Sequence, residues 1–429
     1  MSRRVLILAD LYPPHFAPRV YFMAKRWHEM GWYVELATEH ITEWSQASHG
    51  LVFQEVVDCF AVHRIPLREK YNLLESLQEL FFFSKSRKFE YEVEKRVDIA
   101  SFDVLVGFSY RTFPLPSVAR LAQKYKKPCI MDCRDIVEQY PRYKFLPVSK
   151  DNPSFVYRRL LDVLRRLFIV QRNRALSKAT AITTVSTWHC DRLRGYFTNH
   201  PIQLFYNGFD GSLFSPRHPK TNLFRIVFTG RILSVEHGDP LAFFKILNLP
   251  ELFPLLKSGN LEVSWYVDAH SEKILRSLLR HLPESVRQVQ RFYTMIPFRQ
   301  VPDVLANASI VLLLAQPKGA KGIVSTKIFE AMAMEKPILM VQSDRAIRSA
   351  ILKKAQAGCA VEEQRDAIEF IHKYYAYWKE NGYTCARNQN KSYVAEFSRS
   401  NIGTKYAMFV EQIIFADRYR VIKNNEATK

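Results

Sequence analysis

The sequence predicts an α/β protein of two doubly wound domains, each with a parallel sheet covered by helices. The first observation is a set of short, continuous apolar runs, such as residues 5–9 and 310–314, which are typical of strands buried on both faces. The second is that segments of helical periodicity separate these runs. The third is that the pattern starts again after the Pro- and Lys-containing stretch at 215–222, which indicates a domain boundary.

The N-terminal domain is predicted to open with a βαβ unit. The strand at 5–9 is followed by a helix over 19–30, where apolar residues recur at i, i+3, i+4 and i+7 and Gly31 occupies the C-cap position, and by a strand at 33–37. Its crossover is expected to be right-handed. Further strands are predicted at 104–107, 128–131 and 181–185, with helices at 115–124 and 156–176, so that residues 1–205 form this domain.

The second domain is predicted to span residues 206–395. Its strands are expected at 225–230, 263–267, 310–314 and 337–341, and its helices begin at Leu241, Lys273, Pro302 and Lys327. The last segment, about 396–429, is predicted to be one long helix with a polar tail. Two such domains would face each other across a cleft, and open α/β sheets bind ligands at the carboxyl ends of their strands. We therefore expect the site on the loops at 10–19, 107–113, 132–140, 230–238 and 315–330.

The composition restricts the chemistry. The chain has 62 Lys and Arg against 42 Asp and Glu, a net charge of +20, which favours partners such as phosphorylated substrates, an anionic membrane surface or nucleic acid. No G-x-G-x-x-G follows the first strand, which disfavours a dinucleotide-binding dehydrogenase. The six cysteines are scattered and give no zinc signature. No Asp-x-Asp pair occurs, so no metal cofactor is expected.

A membrane-surface helix is predicted at 157–176. This segment carries six arginines against one aspartate beside an apolar stripe, the pattern of an interfacial helix, with Arg158, Arg159, Arg165 and Arg166 expected to face an anionic membrane. The alternative is that the stripe packs on the sheet of its own domain. A second candidate is the segment 77–88. The apolar run at 5–9 is shorter than a signal-peptide core, and no run approaches ~18 apolar residues, so we expect a cytoplasmic protein, soluble or bound to the membrane surface.

Five segments in register over about residues 1–345 resemble glycosyltransferase family 4, the retaining sugar transferases of GT-B fold. They are LADLYPP at 8–14, TTVS at 183–186, NGFD at 207–210 with LFSP at 213–216, FTGR at 228–231, and STKIFEAMA at 325–333 with KPIL at 336–339. The resemblance implies that the final helix crosses back to the N-terminal domain. It also implies a UDP- or GDP-linked sugar as the donor substrate, with no metal requirement.

The resemblance assigns donor binding to the loops of the second domain. The implied residues are Gly230, Arg231, His237, Ser325, Thr326, Lys327, Ile328 and Glu330, of which Arg231, Lys327 and Glu330 also act in catalysis. The residue types fit these roles: an arginine fork after a glycine suits phosphate, and a helix beginning at Ser325 or Thr326 would point free N–H groups at an anion. The alternative is an ordinary helix cap with a solvated Lys–Glu pair.

The N-terminal domain is expected to supply the acceptor or diphosphate side of the site. The candidates are His15, Arg19, Arg134 and Asp135, with Asp135 also expected in catalysis.

Two departures from the family pattern stand out in the donor domain. The first glutamate of the E-x7-E motif is replaced by Gly322, and the lysine usually found five positions after the arginine is Glu236, with His237 as its candidate replacement.

These observations predict a retaining glycosyltransferase. It would move a sugar from a nucleotide-sugar donor to a lipid-linked or polysaccharide acceptor in cell-surface glycan biosynthesis, at the inner face of the cell membrane. One alternative is a GT-B sugar-nucleotide epimerase, which would act on the donor without an acceptor. The other is a basic nucleic-acid-binding protein, which the charge alone suggests and no nucleic-acid-binding signature in the sequence supports.

Overall fold

The computed structural model describes residues 2–13, 18–40, 58–67, 73–110, 112–139, 154–232, 239–314 and 322–427. The chain divides into two compact units. The N-terminal unit comprises Met1–Tyr206 together with Ser400–Lys429, and the C-terminal unit comprises Asn207–Arg399. The sequence places the corresponding boundaries at 205 and about 396.

The N-terminal unit contains a parallel sheet of seven strands in the order β3-β2-β1-β4-β5-β6-β7. The strands are β1 (Arg4–Ala9), β2 (Tyr33–His40), β3 (Ala61–Pro66), β4 (Val104–Ser109), β5 (Cys129–Cys133), β6 (Ala181–Thr184) and β7 (Ile202–Leu204). Its helices are α1 (Pro18–Glu29), α2 (Leu73–Phe82), α3 (Ser84–Arg96), α4 (Leu115–Tyr125), α5 (Phe155–Leu176) and α6 (Thr187–Arg194). The predicted strands are confirmed. The two edge strands β3 and β7 were not predicted. β3 is largely exposed and lacks an apolar run, and β7 has only three residues, none of them buried.

Strand β1 is apolar throughout because both faces of the sheet are covered. Val5 and Ile7 point into one core with Trp27 of α1. Leu6 and Leu8 point into the core on the other face, with Phe89 of α3 and Val118 of α4. Alternation between two buried layers explains why the sequence shows a continuous run instead of a polar–apolar alternation.

The C-terminal unit repeats this architecture with six parallel strands in the order β10-β9-β8-β11-β12-β13. The strands are β8 (Phe224–Thr229), β9 (Leu261–Val267), β10 (Gln290–Thr294), β11 (Ile310–Leu314), β12 (Ile338–Val341) and β13 (Gly358–Ala360). The helices are α7 (Pro240–Leu247), α8 (Phe253–Lys257), α9 (Ala269–Leu279), α10 (Glu284–Arg287), α11 (Val301–Ala306), α12 (Thr326–Ala333), α13 (Ile347–Ala355), α14 (Gln364–Asn381) and α15 (Lys391–Ala395). Its core is centred on the fully buried Trp265.

The final helix α16 (Arg399–Ala427) starts at the last residue of the C-terminal unit and packs into the core of the N-terminal unit. Tyr406 is fully buried there and stacks on Phe205, with the ring centroids 4.4 Å apart. Ile402, Val410 and Ile413 join the same core. Nowhere in the described ranges does a helix combine the length and apolarity needed to cross a membrane.

A buried polar network joins the elements of the N-terminal unit. The Arg19 guanidinium donates to both carboxylate oxygens of Asp132, at 3.2 and 2.8 Å, and also to the carbonyls of Phe205 and Tyr206, at 2.9 and 3.0 Å. Thr183 donates to Asp132 at 2.8 Å, and its hydroxyl lies 2.7 Å from that of Tyr406. The network therefore connects α1, β5, β6 and α16.

This placement corrects the expectation for Arg19. The sequence suggests a contact with a diphosphate, but the side chain is only 2% exposed and its donors are directed to an internal carboxylate and two carbonyls. Its physical role is to compensate the fully buried charge of Asp132.

The substitution Asp132→Asn should destabilise the N-terminal unit strongly. It leaves the Arg19 charge buried without a counter-charge, and breaking a buried pair typically costs about 3–5 kcal/mol. The matched control is Asp191→Asn, which removes a carboxylate from a pair with Arg194 in which both side chains are well exposed. That change should cost no more than about 1 kcal/mol. Guanidinium unfolding of both variants measures the difference, and similar losses would contradict the argument.

Candidate functional site

In the turn after β8, the backbone at Gly230 lies directly against the ammonium group of Lys327. Gly230 has φ of +110°, a conformation that L-residues rarely adopt, and its N–H donates to the Tyr266 carbonyl at 2.9 Å. A Cβ atom at this position would overlap the Lys327 ammonium and lie 2.7 Å from its Cε. Glycine is therefore required here both by the backbone conformation and by the close approach of Lys327.

Arg231, which follows this glycine, is held by the N-terminus of α9. Its Nε lies 3.1 Å from Oδ2 of Asp268, the N-cap residue of α9. Burial alone would raise the pKa of Asp268, but the hydrogen bonds from Ser271 and the charge of Arg231 outweigh burial and lower it. Ser271 also accepts a hydrogen bond from the Ile232 N–H at 2.8 Å. An ion pair and a hydrogen bond thus join the end of β8 to the start of α9.

Helix α12 places its first turn beside this arginine. Ser325 is the N-cap, and its hydroxyl accepts from the Lys327 N–H at 3.4 Å. Burial lowers the pKa of Lys327 to about 8, opposed by the Glu330 carboxyl. The ammonium lies 4.7 Å from the centre of the Phe228 ring, and no hydrogen-bond acceptor contacts it within the described ranges. A lysine held in this way gains an anionic partner at little conformational cost.

Glu330 is buried, being only 4% exposed, and its Oε1 has no hydrogen-bond partner among the described residues. Burial raises its pKa, while the Arg399 guanidinium, a hydrogen bond from Thr326 and the Lys327 charge act in the opposite direction. A buried carboxylate oxygen without a donor is costly unless a ligand supplies one. Arg399, at the start of α16, was not predicted, because nothing in the local sequence indicates that it packs near Glu330.

A cavity of about 170 Å³ lies beside Arg231 and the first turn of α12, and Glu330 is not among the residues that line it. Its lining includes the predicted residues Arg231, Ser325, Lys327 and Ile328, together with Arg348, which was not predicted. Arg348 is fixed by Asp344, with Nε and Oδ2 3.0 Å apart. Burial would raise the pKa of Asp344, but hydrogen bonds from Ser349 and Arg348 lower it to about 2. The cavity therefore presents three cationic side chains and a helix N-terminus, an arrangement that fits a multiply charged anion.

The residue at the first position of the E-x7-E motif has a backbone reason to be glycine. Gly322 is buried and has φ of +84°, where a glutamate would be strained. Two other predicted residues, His15 and His237, lie outside the described residues.

In the N-terminal unit, polar groups converge at the carboxyl ends of β1, β4 and β5. Asp10, which follows β1, accepts from the N–H groups of Leu11 and Tyr110 at 2.7 and 2.5 Å. Arg134 follows β5, and its Nη2 lies 3.9 Å from Asp10. Burial raises the pKa of Asp10, although Arg134 and the backbone donors act against this. The next residue, Asp135, is half-buried and accepts from Nε2 of Gln139 at 2.7 Å.

Helix α5 carries two apolar stripes. Leu161 and Leu164 are buried against Leu80 of α2 and Val137. The second stripe is exposed and has helical spacing: Phe155, Val156, Leu160, Val163, Leu167 and Val170, with exposed fractions of 36–77%. One stripe therefore packs within the unit, against α2 and Val137, and the other is exposed. Contact of the exposed stripe with a membrane stays a prediction.

The arginines of α5 are divided in the same way. Arg172 is fully buried and forms a bidentate pair with Glu138, at 2.6 and 2.8 Å. Arg165, expected to face a membrane, is half-buried and donates to the Glu138 carbonyl at 3.3 Å. Arg159 and Arg166 are exposed and flank the apolar stripe by helical spacing, as does Arg174, which was not predicted. Arg158 is exposed on the opposite side of the helix from the stripe.

Comparison with known proteins identifies the fold. Sucrose-phosphate synthase from Thermosynechococcus elongatus is similar over 97% of this chain and 100% of its own, with a TM-score of 0.63 and 11% identity. HepE from Anabaena, solved with UDP-glucose, is similar over 95% and 99%, with a TM-score of 0.60 and 13% identity. The lipopolysaccharide outer core galactosyltransferase WaaB is similar over 96% and 99%, with a TM-score of 0.57 and 11% identity.

No family model and no curated protein matches this sequence. The likeness to solved structures covers nearly the whole chain, and together with the two parallel sheets it establishes the GT-B fold.

The substitution Gly230→Ala should be more damaging than other Gly→Ala changes at left-handed positions in the same unit. A residue forced into this conformation is strained by about 1–3 kcal/mol, and here the new Cβ also displaces Lys327. The matched control is Gly259→Ala, because Gly259 has φ of +72° but no atom within 4 Å of the added Cβ. The free energy of unfolding should fall further in Gly230→Ala. Equal losses would show that the end of the Lys327 side chain moves aside at little cost, and would contradict the expected difference.

Proposed function

We propose that this protein is a retaining glycosyltransferase that moves a hexose from a UDP- or GDP-linked donor to a lipid-linked or glycan acceptor in cell-surface polysaccharide biosynthesis. The observation that carries the proposal is the cavity lined by Arg231, Lys327 and Arg348 at the N-terminus of α12. In the same helix, the buried Glu330 has one carboxylate oxygen without a hydrogen-bond donor among the described residues. The HepE structure with UDP-glucose supports a nucleotide sugar as the ligand class.

In this proposal, the three cationic side chains and the α12 amides hold the donor diphosphate. Their charges stabilise the negative charge that develops as the diphosphate leaves, so the site needs no divalent metal. Glu330 accepts hydrogen bonds from the ribose hydroxyls through its buried Oε1. The first motif glutamate is absent, so contacts with the transferred sugar differ from those of proteins that contain it.

The transfer breaks the bond between the sugar C1 and the diphosphate oxygen, and a bond between C1 and the acceptor oxygen forms on the same face of the ring. The acceptor proton passes to the departing diphosphate, which leaves as the nucleoside diphosphate. Asp135 and Arg134, at the end of β5, contact the acceptor side. Consumption of the donor without any acceptor would instead favour the epimerase alternative.

The acceptor is proposed to lie at the inner face of the cell membrane, and the exposed stripe of α5 is the proposed contact with that surface. Six apolar side chains with arginines beside them match an interfacial helix, in which the apolar face enters the headgroup region and the cations meet anionic lipid. Each arginine close to such a surface contributes about 1 kcal/mol.

Alanine substitution of Arg231 or Lys327 should lower kcat by about 10²–10³, the usual loss when one charge-stabilising group is removed. Glu330→Gln should weaken UDP or GDP binding while leaving the free energy of unfolding little changed. The assay is turnover of a panel of nucleotide sugars in the presence of excess EDTA. Wild-type turnover in all three variants, or a strict requirement for a divalent cation, would contradict the assignment.

The pH dependence of nucleotide binding provides an internal control. Lys327 is protonated below a pH of about 8 and neutral above it, so UDP affinity should fall as pH rises through that value. The step should disappear in Lys327→Met. It should remain in Lys336→Met, because burial also lowers the pKa of Lys336 to about 8, but its ammonium donates to the Ala306 carbonyl away from the cavity. Isothermal titration calorimetry across pH 6.5–9.5 measures this step.

Vesicle binding tests the α5 surface. The protein should bind phosphatidylglycerol vesicles but not phosphatidylcholine vesicles, and should lose most binding near ~0.5 M salt, where charges are strongly screened. Replacement of Arg159, Arg166 and Arg174 by Gln should abolish binding.

Replacement of Arg192 and Arg194 by Gln is the control, because these exposed arginines lie on α6 instead of beside the stripe. Absence of vesicle binding together with concentration-dependent dimerisation in sedimentation would assign the stripe to a second copy of the chain and contradict the membrane proposal.

A further inference from the structure

A chain of buried hydrogen bonds leads from Asp135 into the N-terminal unit. Nε2 of Gln139 donates to Oδ1 of Asp135 at 2.7 Å, and Oε1 of Gln139 lies 2.7 Å from Nε2 of His189. Gln139 is 3% exposed and His189 is fully buried. His189 lies on α6, in the first turn after the N-cap Ser186. Asp135 is the only member of the chain that retains substantial exposure.

The direction of these hydrogen bonds is fixed by their partners. Oε1 of Gln139 also accepts from the Ile136 N–H at 3.3 Å. If the amide were flipped, its NH2 group would face that N–H and its oxygen would face the Asp135 carboxylate, which are both repulsive arrangements. His189 must therefore donate from Nε2. Burial lowers the pKa of His189 to about 4, so the ring is neutral at physiological pH, with its proton on Nε2.

The turn that carries Gln139 is anchored from a second side. Glu138, its neighbour, receives the bidentate hydrogen bonds of the fully buried Arg172 from α5. Glu138 has a lowered pKa because the hydrogen bonds and charge of Arg172 outweigh the effect of burial. The short helical turn Val137–Gln139 is thus held between α5 and α6, and Gln139 offers its amide to Asp135 in one orientation.

We propose that Gln139 and His189 are positioning residues that orient the Asp135 carboxylate toward the acceptor hydroxyl. The inference rests on the proposed transferase function. His189 orients Gln139, and the hydrogen bond from Gln139 to Oδ1 holds the Asp135 carboxylate in one orientation, in which it accepts a hydrogen bond from the hydroxyl to be glycosylated. Misplacement of a reacting group by about 1 Å can reduce a rate by ~10². Rigid support of this carboxylate therefore has a direct consequence for turnover.

The test uses transfer to a polyprenyl-diphosphate-linked sugar from the nucleotide sugar, UDP- or GDP-linked, that gives the highest turnover in the panel. Gln139→Leu should lower kcat by about 10- to 100-fold, because Asp135 is no longer oriented, while the affinity for UDP is unchanged. His189→Leu should lower kcat as well, and His189→Gln should restore most of it, because the amide can still donate to Gln139. In an Asp135→Asn background, Gln139→Leu should have little further effect.

The matched control is Gln171→Leu. Gln171 is another buried glutamine of the same unit, but its amide donates to the carbonyls of Glu79 and Leu80 and not to Asp135. It should lose stability and keep the wild-type kcat. Equal kcat losses in Gln139→Leu and Gln171→Leu, or a normal kcat in Gln139→Leu, would overturn the positioning role. A normal kcat in Asp135→Asn would also overturn the positioning role, because it would show that the Asp135 carboxylate is not needed. Absence of transfer by the wild type from every nucleotide sugar of the panel would instead overturn the proposed function on which the inference rests.

Discussion

The buried pair of Arg19 and Asp132 is the constraint on which the N-terminal unit depends. Two opposite charges are taken out of water, and they are tolerated only because the guanidinium makes four hydrogen bonds and the carboxylate receives a further one from Thr183. The requirement for all these partners fixes the relative positions of α1, β5 and β6. Through the hydroxyl contact between Thr183 and Tyr406, it also fixes where α16 lies in the core. A hydrophobic core alone would specify these positions less sharply.

The C-terminal unit contains buried charges of a different kind. In the Arg19–Asp132 network the two charged groups are hydrogen-bonded to each other, whereas Glu330 has a buried oxygen without a donor among the described residues, and burial lowers the pKa of Lys327. Such groups reduce stability in the absence of a ligand. Lys327 lines the cationic cavity and Glu330 lies about one turn further along the same helix, so a bound molecule that reaches this helix would supply the missing donor. Both regions contain buried ionisable side chains. They differ in hydrogen bonding: the Arg19–Asp132 network supplies its own partners, whereas the candidate site leaves a carboxylate oxygen of Glu330 for a ligand to bind.

Local patterns in the sequence predict much of the fold and part of the site. The continuous apolar runs identify the central strands because both faces of each sheet are buried, and the FTGR and STKIFE segments identify Arg231, Lys327 and Glu330. Features set by contacts between distant residues were not predicted. Strand β3 forms at an exposed edge, and Gln139 meets His189 only in the folded chain. Arg348 reaches the cavity from another helix, and Arg399 lies near Glu330 at the start of α16. Arg19 was assigned to the wrong environment for the same reason, since its partner Asp132 is distant in sequence.

The net charge of +20 does not by itself show where a charged surface lies, because some of the arginines are buried in ion pairs and others are exposed. Along α5, Arg172 neutralises Glu138 in the interior and Arg165 binds a carbonyl, so neither contributes to an outer surface. Arg159, Arg166 and Arg174 remain exposed beside six uncovered apolar side chains. This helix of 22 residues has two apolar faces. One is buried and stabilises the fold, and the other is exposed to solvent. Because Arg172 also holds the turn before Gln139, the same helix that offers the exposed stripe supports the carboxylate of Asp135 from within.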